Sequence, residues 1–360
     1  MGQRPSKWDR YGFTTGMAAA AAGVAAAEFF VSGKRLTEVS VTTPNGRRDL
    51  LIDISAVVKA GTGAKATVIK RAGPDRDITD GMPIEVAVVP TQFGYVNVDG
   101  GIGIGRVTRP GLALPVGETA VNPVPLAHIK RLVGAKLPAG ASVIVSAPEG
   151  LALALKTFNP RLGIVGGLSI LGTSGLVRPM SLSSWKAALL PQLAQASAMG
   201  HKTIALAPGN LGALAAADIG FPETAIAQMG NFAGFMIRAA AKRGLKVVVI
   251  GHLGKIVKIA CGYENTHHLK TPDRLKLLDL LIKELKPGLA GAVDGLPSAE
   301  AAISLLREEA PEVLAEIAGC ALRRVEKMAP STCAGVIITD LSGKVVGSAP
   351  AIERVLGDLS

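Results

Sequence analysis

Cysteine and aromatic residues are scarce in this chain of 360 residues, and each shortage excludes a class of site. The cysteines, Cys261, Cys320 and Cys333, lie far apart and form no C-x-x-C pair. That spacing argues against a zinc site and against a disulfide framework, so we expect no metal site and a reducing, cytoplasmic environment. Aromatic residues make up 4% of the chain, too few for the stacking platforms that bind single-stranded nucleic acid.

Long apolar runs are missing as well. No segment has the roughly 18 continuous apolar residues of a membrane-spanning helix, so we expect no membrane partner. The alanine run at 18–22 is followed by Gly23 and Glu28, which is not typical of a secretory signal. The formal net charge of +11 favours nucleic acid, anionic membranes or polycarboxylate ligands, although a basic surface also simply favours solubility. Since no RNA-binding motif is present, we predict no nucleic-acid partner.

The length and the pattern of the chain predict two domains. We expect an α+β domain at 1–155, followed at 156–360 by an open, mainly parallel α/β domain of Rossmann-like type. In the second half, strands at 162–165, 203–207 and 246–250 each lead into a glycine turn and then a helix. This alternation predicts a parallel sheet whose loops converge on one edge.

The first half has a mixed pattern with two irregular stretches. Helices are predicted at 17–30, where Thr14 or Thr15 is the N-cap, and at 121–135, with His128 on its surface. The long stretch 99–124 has an apolar interior, so we interpret it as a wall of the active site. Strand-like segments lie at 38–43, 50–58, 66–69, 84–89, 95–98 and 143–146.

An acidic loop at 72–81 carries three aspartates, Asp75, Asp77 and Asp80. The glycine and glutamate positions of a calcium-binding EF-hand loop are missing. We interpret these carboxylates as solvated turn formers, and a role toward substrate stays open.

The glycine-rich stretch 158–181, FNPRLGIVGGLSILGTSGLVRPMS, is the segment around which the rest is organised. A strand followed by glycines lets backbone N–H groups approach a ligand closely, because no Cβ stands in the way. The spacing matches neither G-x-G-x-x-G nor G-K-[ST], so it is neither a dinucleotide fingerprint nor a phosphate loop. By spacing alone, ligand binding and a simple turn of the chain are equally good interpretations.

The wording of that stretch resembles the central signature of the cobalt-precorrin-5B C1-methyltransferases, the CbiD-like enzymes of oxygen-independent cobalamin biosynthesis. The resemblance extends over about 15–270 and becomes generic in the last third. Further matching words are YGFTTG at 11–16, VTRPGLALPVGETAVNPVP at 107–125, KTFNPRL at 156–162, GNFAGF at 230–235 and GHLGKIVK at 251–258.

Three departures from the family wording limit what the resemblance carries. Met17 and Ala18 stand where family members usually have a cysteine, so no thiol role applies in that turn. Arg178 stands where an acidic residue is common, so no acid role is carried over there. The acidic loop departs at Pro74 and Arg76.

The resemblance implies methyl transfer from S-adenosylmethionine to C1 of cobalt-precorrin-5B, giving cobalt-precorrin-6A. The substrate is then a cobalt corrinoid with many carboxylates, with which the basic charge is compatible; homo-oligomerisation is also compatible with the sequence. We predict that the cosubstrate contacts Gly166, Gly167, Thr173, Ser174, Gly209 and Asn210. We predict that the substrate contacts Thr14, Thr15, Gly16, Arg109, Asn231, Lys255, Asn265 and His267.

His252 is the predicted catalytic residue. Forming the C1-methylated product requires loss of a proton from the macrocycle, and a neutral histidine is a natural acceptor near pH 7. His252 follows a strand inside a glycine turn, which directs it toward the ligand crevice, although a lone histidine is more often structural. Lys255 and Lys258 open the next helix and either bind substrate carboxylates or are merely solvated.

Two alternatives from other classes stay open. A nucleotide-dependent oxidoreductase would use the same sheet edge, but the missing dinucleotide fingerprint counts against it. A basic protein that binds a tetrapyrrole or RNA without turnover would show a steep salt dependence of binding.

Overall fold

The computed structural model describes residues 11–177 and 182–357. The chain forms two compact units, Met1–Ser181 and Leu182–Ser360. Arg178 lies outside the described residues. The division falls after residue 181 rather than at 155, because the stretch that follows 155 pairs with strands of the first unit.

In unit 1, a five-stranded sheet with the order β4-β5-β6-β9-β7 is accompanied by short two-stranded pairs. In the five-stranded sheet, β7 and β9 pair in parallel and the other neighbours are antiparallel. The strands are β1 (Gly12–Phe13), β2 (Glu38–Thr42), β3 (Asp49–Asp53), β4 (Ala56–Ala60), β5 (Gly63–Ile69), β6 (Pro83–Pro90), β7 (Val96–Gly100), β8 (Arg106–Val107), β9 (Ala141–Ser146), β10 (Ile164–Val165) and β11 (Leu176–Val177). The helices are α1 (Thr15–Ser32), α2 (Pro123–Lys136) and α3 (Gly150–Ala154).

Helix α1 is the core of unit 1. Thr14 caps its start by accepting a hydrogen bond from the Met17 amide, and Gly33 ends it in the left-handed conformation at φ +71°. All of residues 15–27 are buried, and the alanines among them permit close approach to the sheet. By length and composition α1 is able to cross a membrane, but 67% of its apolar window is buried within the structure, as in a core helix.

Unit 2 contains a five-stranded sheet with the order β13-β12-β14-β15-β16. All neighbours are parallel except β15 and β16. The strands are β12 (Thr203–Ala207), β13 (Ile226–Gln228), β14 (Lys246–His252), β15 (Cys333–Thr339) and β16 (Val345–Ala349). The helices are α4 (Leu182–Ala198), α5 (Asn210–Asp218), α6 (Ala233–Ala241), α7 (Leu253–Ala260), α8 (Arg274–Leu285), α9 (Ala299–Glu309), α10 (Pro311–Met328) and α11 (Ile352–Gly357).

The predicted class, mixed α/β, is confirmed, but two strand assignments are wrong. The strand at 162–165 is not part of the parallel sheet, because β10 pairs antiparallel with β8 in unit 1. The segment 50–58 contains two strands, because β3 pairs with β2 whereas β4 pairs with β5. The partner changes at Ile54 and Ser55, whose amides donate to the carbonyls of Thr37 and Thr67.

Candidate functional site

Four parallel strands of unit 2 end along one edge of its sheet. Gly209 and Asn210 follow β12, Asn231 follows β13 by a short turn, His252 ends β14, and Asp340 follows β15. The carboxyl ends of parallel strands lie at the same edge, where open α/β sheets bind their ligands. The structure therefore brings together the residues predicted after β12, β13 and β14, and we call this region the sheet edge.

Amide side chains dominate the first part of the sheet edge. Gln228 Nε2 donates to Asn210 Oδ1 at 2.7 Å, and the Gln228 backbone N–H donates to Gln192 Oε1 at 2.8 Å. Gln192 Nε2 returns a hydrogen bond to the Gln228 carbonyl at 3.2 Å. Beside this network, a Cβ on Gly209 would meet no atom within 4 Å. The arrangement is an open stretch of backbone flanked by oriented, uncharged polar groups.

Gln228 was missed by the sequence prediction. It ends a strand of three residues, too short to give a clear periodic pattern. Its spacing was an available signal, because in dinucleotide-binding folds a residue about 20 positions after the first glycine turn contacts the ribose. Here the residue at that spacing after Gly209 is an amide rather than a carboxylate, and an amide also hydrogen-bonds a diol.

His252 caps α7 and has both ring nitrogens engaged. Its Nδ1 accepts a hydrogen bond from the Gly254 amide at 3.2 Å, so the ring proton is on Nε2. Nε2 faces Glu300 Oε2 at 3.0 Å, and the same carboxylate oxygen accepts from the Leu341 amide at 3.2 Å. The His252 side chain is 18% exposed. This geometry fixes one tautomer, and proton uptake at Nδ1 requires release of the Gly254 amide.

Glu300 was also missed by the sequence prediction. It lies in the first turn of α9, two residues after the N-cap Ser298, where acidic residues are common for helix stability alone. Its pairing with His252 across 48 positions has no local sequence signal.

Asn231 and Lys255, which are both predicted to contact the substrate, are in direct contact with each other. Lys255 Nζ donates to Asn231 Oδ1 at 2.6 Å, and Lys258 Nζ donates to the Thr266 carbonyl at 3.1 Å. Burial, reinforced by neighbouring cations, lowers the pKa of both lysines. Thr266 in turn donates its backbone N–H to the Asn231 carbonyl at 2.9 Å, which joins the two loops.

Asn265 and His267 shape the loop after α7. Asn265 Oδ1 accepts a hydrogen bond from the His267 amide at 3.0 Å. The His267 ring stacks on the His268 ring, with the ring centres 4.4 Å apart. Loss of solvent around the ring, followed by the charges of His268, Lys255 and other neighbouring cations, lowers the pKa of His267. His267 is therefore near Lys255, and the loop carries positive potential.

In unit 1, the threonines at the start of α1 contact the glycine-rich loop 171–175. Thr15 Oγ1 accepts from the Leu171 amide at 3.0 Å, and Gly16 donates its amide to the Leu171 carbonyl at 3.1 Å. Thr14 donates its amide to the Gly175 carbonyl at 3.0 Å. Thr14 and Thr15 are 7% and 5% exposed, so this contact is internal to unit 1.

The predicted cosubstrate residues of unit 1 have different surroundings. Gly166 is exposed at φ +89°, and a Cβ there would meet nothing within 4 Å. A Cβ on the buried Gly167 would lie 2.1 Å from the Gly103 carbonyl oxygen. Thr173 is exposed, while Ser174 Oγ donates to the Leu176 carbonyl at 3.1 Å. These four residues belong to unit 1, whereas Gly209 and Asn210 belong to unit 2.

The stretch 99–124 packs inside unit 1. Arg109 lies across Gly163 and donates to the Arg161 carbonyl at 3.3 Å. Isolated bridges join Ile104 to Leu168 and Val121 to Ile170. This stretch is thus a partner of the glycine-rich segment, and its role as an active-site wall stays a prediction.

Two polar features of unit 1 are structural. The Lys70 side chain is 1% exposed and pairs with Asp77 at 2.5 Å. Burial acts to raise the pKa of Asp77, but the charge of Lys70 and hydrogen bonds from Lys70 and Thr79 hold that pKa below its usual range. Asp80 accepts the Ala72 amide at 2.6 Å. The acidic loop therefore neutralises a buried lysine instead of being merely solvated.

His128 is buried, not on the surface of α2 as predicted. It is 4% exposed, and its Nε2 donates to the Thr42 carbonyl at 2.8 Å. The reason is that α2 turns this face toward the end of β2.

Two small cavities have linings that do not include the predicted site residues. A cavity of about 190 Å³ in unit 1 and one of about 240 Å³ in unit 2 both fall below the usual ligand-pocket range of about 300–1,000 Å³. The first is lined by Phe13, Asp53, Ile54, Ser55, Ile69 and Arg71, the second by Arg238, Gly262, Glu264, Arg324, Lys327 and Met328. Among residues 11–177 and 182–357, no three His, Cys, Asp or Glu residues gather as metal ligands.

Comparisons with known proteins agree with the resemblance. A family model described as CbiD matches residues 2–179. A protein of Desulfitobacterium hafniense (strain Y51) named cobalt-precorrin-5B C(1)-methyltransferase is 39% identical over 351 residues, which cover 95% of this chain and 90% of that protein. A Methanocaldococcus jannaschii protein of the same name is 37% identical over 355 residues, 95% of this chain and 97% of that one.

A solved structure is similar as well. The 1.9 Å crystal structure of a cobalamin biosynthesis protein (cbiD) from Archaeoglobus fulgidus has 28% sequence identity and a TM-score of 0.39. The match covers 76% of this chain and 83% of that one.

Proposed function

The chain belongs to the CbiD family, and on that basis we propose that it is the methyltransferase that acts on C1 of cobalt-precorrin-5B. The observation that carries this proposal is 39% identity to a relative of that name over 95% of the chain. The oxidoreductase and the binding protein without turnover have no comparable support.

The proposed methyl donor is S-adenosylmethionine, whose sulfonium supplies an electrophilic methyl group. The sheet edge suits this molecule, because the space over Gly209 is open and the uncharged polar side chains of Asn210 and Gln228 border it. We assign the cosubstrate to these three residues, with unit 2 as a Rossmann-like domain. The contacts predicted for Gly166, Gly167, Thr173 and Ser174 stay predictions for unit 1.

In this reaction, the residues of the sheet edge orient the methyl donor, bind the acceptor and remove a proton from it. The carbon–sulfur bond of the donor breaks as the carbon–carbon bond at C1 forms, and the sulfur keeps the electron pair. Alignment of the reacting atoms and exclusion of water are therefore the main contributions, worth up to about 7–11 kcal/mol when the geometry is well held. Asn210 and Gln228 orient the donor, and Lys255 with Asn231 binds the acceptor.

Proton removal from the macrocycle falls to His252. In this role the hydrogen bond from the Gly254 amide to Nδ1 is released, and Nδ1 accepts the proton from the substrate. Glu300 stabilises the resulting imidazolium through its hydrogen bond with Nε2. The carboxylate is already hydrogen-bonded to the Leu341 amide, which keeps it oriented.

The test is methyl transfer in a defined mixture. Purified protein is incubated with methyl-labelled S-adenosylmethionine and cobalt-precorrin-5B, and the corrinoid is analysed by mass spectrometry. We expect one labelled methyl group on C1. No gain beside an active family member run in parallel would contradict the proposal.

A further inference from the structure

Three cations of unit 2 lie together beside the sheet edge, and no carboxylate of the described residues forms an ion pair with them. Lys258 is 6% exposed, and its Nζ contacts the Thr266 carbonyl at 3.1 Å. Lys255 Nζ lies 3.5 Å from the same carbonyl oxygen. The Arg274 side chain packs against Gly254: a Cβ added to this glycine would lie 3.1 Å from Arg274 Cδ and 3.4 Å from His252 Nδ1. We call Lys255, Lys258 and Arg274 the cation cluster.

Carboxylates within 182–357 that form ion pairs have other partners. Glu264 pairs with Arg238, Asp279 with Lys283, Glu300 with His252, Glu312 with Lys286 and Asp340 with Arg307. None of the described carboxylates forms an ion pair with the cation cluster. The acidic neighbour Asp273 uses its carboxylate to cap α8, accepting the Leu275 amide at 2.8 Å.

The cluster is costly for the protein on its own. Burial and like charge lower the pKa of Lys255 and Lys258, although the charge of Asp273 acts to raise that of Lys258; on balance the surroundings disfavour the charged form of both lysines. Lys255 donates to the Asn231 side-chain oxygen and Lys258 to the Thr266 carbonyl, so the acceptors that hold the two lysines in the fold are uncharged. His267, His268 and Lys270 on the adjoining loop add no negative charge. Charges retained against stability are typical of binding sites.

The ligand that offsets this charge carries more than one anionic group. Arginine binds a carboxylate through two parallel hydrogen bonds, and a lysine adds a point charge beside it. We propose that the cation cluster recognises carboxylate groups at the periphery of the corrinoid substrate, an inference that rests on the function proposed above. Lys255 and Arg274 contact the carboxylates, while the more buried Lys258 strengthens the local potential.

The kinetic test uses Lys255→Met and Arg274→Gln, with Lys242→Met as a matched control. Lys242 is exposed and follows the C-terminal end of α6, the end opposite Asn231. We expect the KM for cobalt-precorrin-5B to rise about tenfold or more in each cluster variant, as for loss of a charge-assisted hydrogen bond, with a smaller fall in kcat. The control should keep its KM. Unchanged KM in both cluster variants would overturn the inference.

A binding test without turnover separates this inference from the proposed function. The probe is tricarballylate, a flexible tricarboxylate, and the readout is the melting temperature of the full chain. For wild type and Lys242→Met the melting temperature should rise with the logarithm of probe concentration, as ligand linkage requires. In Lys255→Met and Arg274→Gln this rise should be lost, and acetate at three times the molar concentration should have little effect. An equal rise with inorganic phosphate would overturn carboxylate recognition.

Lys258→Met provides a second signature. Removing the most buried charge should raise the melting temperature of the unliganded protein while weakening the tricarballylate response. A purely structural lysine would give the opposite sign in the unliganded protein. If tricarballylate behaves as expected but wild type fails to methylate the corrinoid, the proposed function and the corrinoid ligand fail, and only a carboxylate site is left.

Discussion

Glycine has different physical reasons in the glycine-rich segments of the two units. In unit 1, a Cβ on Gly167 would lie 2.1 Å from the Gly103 carbonyl oxygen, and one on Gly172 would lie 2.3 Å from Thr14 Oγ1. In unit 2, a Cβ on Gly209 would meet no atom within 4 Å. Both segments follow strands, yet the backbone at Gly167 and Gly172 is close-packed and the backbone at Gly209 is open.

A glycine turn after a strand therefore indicates that another group approaches the backbone closely. It does not show whether that group belongs to the protein or to a ligand. In unit 1 the approaching groups are other parts of the same unit, so glycine is required by the fold. At the sheet edge the fold leaves the space empty, and polar side chains such as Asn210 and Gln228 border it. Open glycine beside oriented polar groups is the pattern expected of a binding site.

The largest expected effect is on the stability of unit 1. Gly167→Ala should destabilise the protein by about 3 kcal/mol or more, because the new methyl group overlaps backbone that has no room to move. The control is Gly166→Ala, whose Cβ has open space, so only the left-handed backbone at φ +89° costs about 1 kcal/mol. Urea unfolding of both variants measures the difference. Equal losses would remove the distinction between packed and open glycines.

The next effect concerns catalysis at the sheet edge. His252→Ala should lower kcat by about 10²- to 10⁴-fold if His252 accepts the substrate proton, with little change in affinity for S-adenosylmethionine. The matched control is His201→Ala, which removes a histidine bonded to Thr224 at 2.8 Å near the opposite end of β12. Normal turnover of His252→Ala would leave this histidine with the structural task of capping α7.

A smaller effect is expected at Gly209. Gly209→Ala should change the free energy of unfolding by less than about 0.5 kcal/mol, since its backbone is extended and its surroundings are open. Affinity for S-adenosylmethionine, measured by calorimetric titration, should nevertheless fall about tenfold as the methyl group enters the binding space. Gly212→Ala provides the contrast, because its Cβ would lie 2.6 Å from the Ile250 carbonyl oxygen and cost stability instead. Unchanged affinity in Gly209→Ala would place the donor elsewhere.

Much of this organisation was accessible from local sequence patterns. The sequence predicts Thr14 or Thr15 as the cap of α1, the mixed α/β class and the strands at 203–207 and 246–250, all close to their observed positions. Each depends on interactions within a few residues, such as capping or the alternation of apolar runs with glycine turns.

The failures concern partners that are distant along the chain. Residues 164–165 have the composition of a parallel strand, but their pairing with β8 in unit 1 depends on a contact that no local pattern specifies. The pairing of Glu300 with His252 likewise depends on the fold, whereas Gln228 had a spacing signal but no clear strand pattern around it. A glutamate in a first helical turn is too common for the sequence to single it out.

The smallest expected effect is the pH dependence of stability caused by His128, a buried polar residue of unit 1. It tests whether the surroundings of this residue are as closely packed as those of Gly167. Burial lowers the pKa of His128, against a hydrogen bond to Thr42 that acts to raise it. Its Nδ1 has no partner among the described residues, so the imidazolium would bury an unsatisfied N–H. The unfolded state, with a histidine pKa of about 6.5, therefore binds the proton more readily than the folded state.

Stability should accordingly fall as pH drops below about 6.5 and level off below the lowered folded pKa, with a slope from this group of at most about 1.4 kcal/mol per pH unit. His128→Gln keeps a donor toward Thr42 and carries no titrating proton, so its unfolding free energy should lose this part of the pH dependence. Urea unfolding of wild type and variant between pH 5 and 7.5 measures the difference. Parallel curves would mean that the folded protein accommodates the imidazolium, and that this part of unit 1 is less tightly closed to water than its glycine contacts indicate.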